Sequence, residues 1–147
     1  MFIESEWIKL LFMLGDMQTM LGEIERDLFS KVPAEKKRKL FQPGYHITAS
    51  SFAHIIERHY HKIPRHMGVG KFTVPVVDIL DHLRRAAAQT PVPIPGSLNY
   101  CREFDTGNEI GFDRSGNSTK MMTVITTPGG CIKTAFPGNY KEFSVLV

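Results

Sequence analysis

Residues 98–136 read LNYCREFDTGNEIGFDRSGNSTKMMTVITTPGGCIKTAF, and this stretch decides the fold. Apolar or β-branched residues alternate with polar ones across 98–104, 109–113, 120–127 and 131–136. A period of two is the pattern of strands with one face buried. The breaks are Thr106-Gly107-Asn108, Ser115-Gly116-Asn117 and Pro128-Gly129-Gly130, residues that accept left-handed backbone or preset a turn. Breaks this short join antiparallel neighbours, so the C-terminal half is expected to be an antiparallel meander. Residues 139–147 are a candidate further edge strand.

Working backwards, residues 89–96 hold Pro91, Pro93 and Pro95 and must be an extended connection. Before it, residues 74–88 read as a helix with Pro75 and Asp78 in its first turn, where a missing N–H costs little and an acid is favourable. An earlier helix starts after Thr48 or Ser50, either of which can cap it. Phe52, Ile55, Ile56, Tyr60 and Ile63 form its apolar face, and Pro64 ends it. Helices followed by a meander make an α+β fold: two to three N-terminal helices packed on a four- to five-stranded antiparallel sheet.

The first thirty residues stand apart. Ile3, Trp7, Leu10, Leu14, Met17, Leu21, Ile24 and Leu28 are spaced 4-3-4-3-4-3-4, an unbroken heptad seam. Such spacing favours packing against another helix, either within the domain or on a second chain. Gly15 and Gly22 each weaken the helix by about 1 kcal/mol relative to Ala, so it needs a partner surface. We therefore expect residues 1–44 to be a helical docking or entry segment with a basic linker, and residues 45–147 to be a second unit carrying the chemistry.

The chain has 147 residues, 42% hydrophobic and 22% charged, as expected of a globular domain with a proper core. Its net charge of +3 hides a segregation: residues 1–30 carry −4, residues 31–71 carry +7, and residues 72–147 are neutral. Five of the six histidines lie in the +7 block, which points to an anionic partner, nucleic acid first. No apolar run is long enough for a membrane span. Glu4 and Glu6 precede any lysine, unlike a secretory signal. Cys101 and Cys131 form no metal-ligand spacing and read as reduced thiols. No cofactor is expected.

The densest chemical signal is His54-Ile55-Ile56-Glu57-Arg58-His59-Tyr60-His61. Helical spacing puts His54, Arg58 and His61 on one wet face, with His59 nearer the apolar side. The spacing is not that of a zinc protease, because the second histidine follows the first by five and Glu57 is misplaced. Cleaving RNA without metal needs a base for the 2′-OH proton, an acid for the leaving 5′-oxygen, and cations for the charge on phosphorus. Histidine serves as base or acid near neutrality, and arginine holds phosphate through two parallel bonds. In the last strand Ile132, Thr134 and Phe136 alternate onto one face. Thr134 is then either a locally satisfied β-branched residue or a hydroxyl that orients phosphate. Lys36, Lys37, Arg38 and Lys39, with Lys62 and Arg65, are the candidate RNA-binding cations.

Taken in order, the His54-x-x-x-Arg58-His59 helix, a second helix, a Pro-rich turn and a closing strand Ile132-Lys133-Thr134-Ala135-Phe136-Pro137 resemble the metal-independent RNase toxins of the barnase/EndoU/colicin/RelE-like superfamily. The likeness is to the C-terminal toxin domains of contact-dependent inhibition and other polymorphic toxin systems, and it spans roughly residues 45–137. It implies helices on an antiparallel sheet with the site in the cleft between them. His54 would be general base or acid, Arg58 a phosphate ligand, and His59 a second proton carrier. Thr134 would supply the late-strand hydroxyl and Lys120 a transition-state cation. It also implies tRNA as substrate, a 2′,3′-cyclic phosphate product, and an acidic cognate immunity protein. A translation elongation factor is a further implied partner, and delivery would be from a larger exported protein into a target cell's cytoplasm. Two other readings compete: a non-catalytic RNA- or protein-binding module using the heptad helix and basic block, and a nuclease binding metal through His59, His61 and His66.

Overall fold

A computed structural model describes residues 3–30, 45–63, 66 and 68–140, with side chains of the first helix placed as far as residue 17. The chain begins with helix α1 (Glu4–Ser30), followed by α2 (Ala49–His59), strand β1 (Lys71–Phe72) and α3 (Val76–Arg85), which tightens into a 3-10 turn over Ala86–Ala88. Strands β2 (Val92–Pro93), β3 (Tyr100–Asp105), β4 (Gly111–Phe112), β5 (Ser118–Thr119), β6 (Met121–Thr126) and β7 (Ile132–Pro137) complete the order. The main sheet runs β2-β3-β6-β7, all antiparallel, and a smaller sheet runs β1-β4-β5. This is the expected α+β architecture, with helices packed on an antiparallel sheet.

The local chemistry explains the elements. Thr48 is the N-cap of α2, its hydroxyl accepting the Ser51 N–H at 3.1 Å, which satisfies a donor the helix leaves open. The helix stops at His59, earlier than Pro64, because Tyr60 turns extended to bridge Phe72 of β1. Helix α3 starts at Val76 because Pro75 is extended (φ −56°, ψ 152°). Its open first N–H, from Val76, is taken by the Glu4 carboxylate of α1 at 3.1 Å. The proline-rich connection contributes β2 on the sheet edge, where a residue with no N–H is tolerated.

The strand expected at 109–113 leaves the main sheet. Thr106 is buried, and its hydroxyl meets the carbonyls of Asn108 and Lys120 at 2.7 and 2.8 Å. Gly107 then turns the chain at φ 87°. The diverted strand pairs with β1 at Gly111, where any Cβ would stand 2.1 Å from the Lys71 carbonyl oxygen.

One core joins the helices to the sheet: Ile55, Ile56, Tyr60, Phe72, Val76, Ile79, Leu83, Phe104, Met122, Val124, Ile132 and Ala135 are all buried. Each large aliphatic there contributes about 1.5–3 kcal/mol by leaving water. The other sheet face carries a smaller cluster, Ile94, Cys101, Ile125 and Phe136. Both cysteines are free.

Helix α1 joins this core by a face offset from the heptad seam, with Trp7 the seam residue that takes part among the described side chains. Ile8, Leu11 and Gly15 are buried, with Trp7 and Phe12 packed beside them. The seam residues Ile3, Leu10, Leu14 and Met17 are 46–55% exposed. Gly15 sets this rotation: a Cβ there would lie 3.1 Å from the Ala53 Cβ and 3.3 Å from the Ser50 Cα, so its absence lets α1 and α2 approach. Trp7 meets Phe52 edge-on at 6.0 Å. Glu4 fastens the same end, accepting the Tyr60 hydroxyl as well as the Val76 N–H and pairing with Lys62. The packing therefore does not set residues 3–17 apart from the rest of the fold. Among the described residues, no helix is long and apolar enough to cross a membrane.

Candidate functional site

Helix α2 packs on β7, and His54 on its exposed face lies within electrostatic reach of Lys133 near the start of that strand. The pairing of β6 with β7 slips between Ile125 and Thr126: Thr134 opposes Ile125, yet Ile132 opposes Thr126. Lys133 is the extra residue of this bulge, and bulges re-aim side chains. Ile132 stays in the helix-side core while Lys133 is exposed. His54 is exposed on α2 and feels the charges of Arg58, Glu57, His66 and Lys133. Partial burial, then the Arg58 guanidinium, holds its pKa below the ordinary 6.5, outweighing Glu57. His54 is therefore neutral at pH 7, with a lone pair available as a base. His66, at φ 55°, is held against Glu57 by a 3.4 Å contact.

The expected site residues separate into groups. His54 and Arg58 come together as expected, and Lys133 joins them. His59 is 4% exposed, and its Nδ1 hydrogen-bonds the Gly70 carbonyl at 2.9 Å. Burial pushes its pKa down to about 4, so it is a neutral core residue behind the wet face. It lines a narrow pocket with Asp113, Arg114 and Asn139.

His61 falls beyond the end of α2 and leaves the His54–Arg58 stripe. Its Nδ1 lies 3.0 Å from the Phe72 carbonyl. Thr134 parts from Ile132 at the bulge and opposes Ile125, a member of the reverse-face cluster. It does not face the helix–sheet core. Lys120 is exposed just before β6, five residues from Ile125. At roughly 3.3 Å per residue that is about 16 Å from the Lys133 bulge. Lys62 is 63% exposed and pairs with Glu4 at 3.6 Å, which offsets part of its charge. Lys36, Lys37, Arg38, Lys39 and Arg65 lie outside the described residues.

Lys133 escaped the sequence reading because strict alternation hides a bulge. The Glu57–His66 contact escaped it because it depends on a loop conformation. Among the described residues, no group of three or more His, Cys, Asp or Glu side chains could hold a metal ion. His59, His61 and His66 thus do not make the ligand set of the metal-binding reading. No protein-family profile matches the chain, and no curated protein matches it.

Proposed function

We propose that this protein is a metal-independent endoribonuclease of the toxin type, with tRNA as its most fitting substrate class. One observation carries the reading: a neutral, exposed His54 stands among Arg58, Lys133 and the Glu57-supported His66 beside the start of β7. His54 would take the 2′-OH proton as the 2′-oxygen attacks phosphorus. Arg58 and Lys133 would bind the phosphate and offset the charge that builds on it. His66, oriented by Glu57, would give a proton to the departing 5′-oxygen. The products are a 2′,3′-cyclic phosphate and a 5′-OH. In this reading the chain acts in a target cell's cytoplasm and an acidic immunity protein covers the cationic edge, with an elongation factor as a further partner.

The test is incubation of the purified protein with total tRNA in EDTA, with and without cytosolic extract. Cleavage that disappears in His54→Ala supports the reading. No cleavage in either condition, or cleavage unchanged by His54→Ala, refutes it. A second reading, a non-catalytic binding module, draws on the exposed heptad stripe of α1. It requires salt-sensitive binding and a biological effect that survives His54→Ala.

A further inference from the structure

The helix-side face of the sheet is not fully covered. Beyond Phe104 and Met122 it continues through Arg102 and Tyr100 of β3 and Thr126 of β6, and there it floors an open cleft. Tyr45, Thr127 and Pro128 complete the walls. Arg102 is half-buried in this floor and held rigidly. Its Nε donates to the Gln89 carbonyl at 3.2 Å, and one Nη1 proton goes to the Thr126 hydroxyl at 3.2 Å. Its guanidinium carbon sits 4.8 Å from the centroid of the Tyr45 ring. The Tyr45 hydroxyl is tied in turn to the Leu83 carbonyl at 2.6 Å.

Five N–H groups belong to a guanidinium, and these two bonds leave three without an acceptor among the described residues. Among the described residues no carboxylate pairs with Arg102. A half-buried cation is normally matched by an opposite charge or by dense hydrogen bonding. Here the fork is fixed and only partly used, at the bottom of a cleft, with one tyrosine stacked on it and a second alongside. Rigid guanidinium donors suit phosphate oxygens. Aromatic rings and guanidinium planes suit unstacked bases.

We propose that this cleft binds a segment of single-stranded RNA, with Arg102 holding a backbone phosphate and Tyr100 and the Arg102–Tyr45 stack receiving a base. As a strand-holding subsite it rests on the endoribonuclease reading for its purpose, but its occupancy can be measured without any cleavage. Arg102 here is a binding residue, separate from the His54 edge where bonds change.

The experiment uses the full chain and a short fluorescein-labelled single-stranded RNA, 2′-O-methylated so that it cannot be cut, followed by fluorescence anisotropy across a salt series. Arg102→Gln should weaken binding at least about tenfold and lower the salt slope by about 0.7. Tyr100→Leu, which leaves the Arg102 bonds intact, should weaken it about fivefold or more. Arg102→Lys should fall between Arg102→Gln and the parent. Lys9→Ala, which removes one cation from α1, controls for net charge and should change affinity little. On cleavable RNA, Arg102→Gln should raise KM with kcat nearly unchanged. Parent-like binding by both Arg102→Gln and Tyr100→Leu overturns the proposal, as does a loss in Lys9→Ala equal to that in Arg102→Gln. Arg102- and Tyr100-dependent binding without any cleavage refutes the nuclease reading and leaves the cleft standing. Cleavage whose KM ignores Arg102 does the reverse.

Discussion

Acidifying the protein from pH 7.5 to pH 5 should cost it about 2 kcal/mol through His59 alone. The side chain is 4% exposed, its Nδ1 bonds the Gly70 carbonyl, and its ring lies 6.0 Å from that of Phe136. Burial brings its pKa to about 4, from 6.5 in the unfolded chain. Between those values the unfolded state binds more protons, so stability is full above pH 6.5 and falls as the pH drops towards 4. The whole span, at about 1.4 kcal/mol per unit, is about 3 kcal/mol. The part reached by pH 5 is about 2 kcal/mol. Urea melts at pH 7.5, 6 and 5 read this directly, as a midpoint lowered by about 1 M for a slope near 2 kcal/mol/M. His54 and His82, whose pKa values are also lowered first by burial, act in the same direction. The deciding comparison is therefore with His59→Gln, which keeps an N–H for Gly70 and does not titrate. That variant should start less stable and lose about 2 kcal/mol less than the parent over the same pH interval. Equal losses in the two proteins would refute the assignment of His59 as a neutral core residue.

In the cleavage assay, His54→Ala should lower kcat about a hundredfold or more. Because the His54 pKa lies below 6.5, the acid limb of the parent's pH–rate profile should fall below pH 6.5; a limb above 7 would contradict the base role. Gly15→Leu places a side chain where a Cβ already meets Ala53 at 3.1 Å, and should cost about 1–3 kcal/mol in thermal melts. Thr123→Val removes the buried hydroxyl that donates to the Gly138 carbonyl at 2.7 Å and should cost about 1–3 kcal/mol in the same melts. Alkylation followed by mass spectrometry should mark half-buried Cys131 first. Cys101, buried and with its thiol pushed up to about 11 by burial and Glu103, should react only on unfolding.

Residues 98–136 were legible because alternation and turn residues are local: β3, β6 and β7 lie within a residue or two of their expected bounds, whereas β2 was expected only as an extended connection. The diversion of β4 was not legible, since it depends on a buried Thr106 hydroxyl finding the Lys120 carbonyl fourteen residues on. The helix-side site was half legible. Two residues four apart on one helix, His54 and Arg58, follow from periodicity. Lys133 required knowing that β7 slips against β6, and Arg102 required knowing which end of the sheet the helices leave bare. Register is a property of pairs of strands, and no single strand carries it.

Helix α1 shows the same limit from the opposite side. Its heptad seam is the strongest periodic signal in the chain, yet the domain buries Ile8, Leu11 and Gly15 in its place. A helix has room for two stripes, and the one used within the domain is chosen by closest approach, where a missing Cβ outweighs a larger side chain. The acidic residues do not separate α1 from the basic half, because Glu4 alone joins it to Tyr60, Lys62 and Val76. Opposite charges far apart in the sequence thus meet in the fold at the Glu4–Lys62 pair. Among the described residues no carboxylate ion pair is formed by Arg102 in the cleft or by Arg58 and Lys133 beside His54, and it is their position next to the two candidate sites that suits them to an anionic partner.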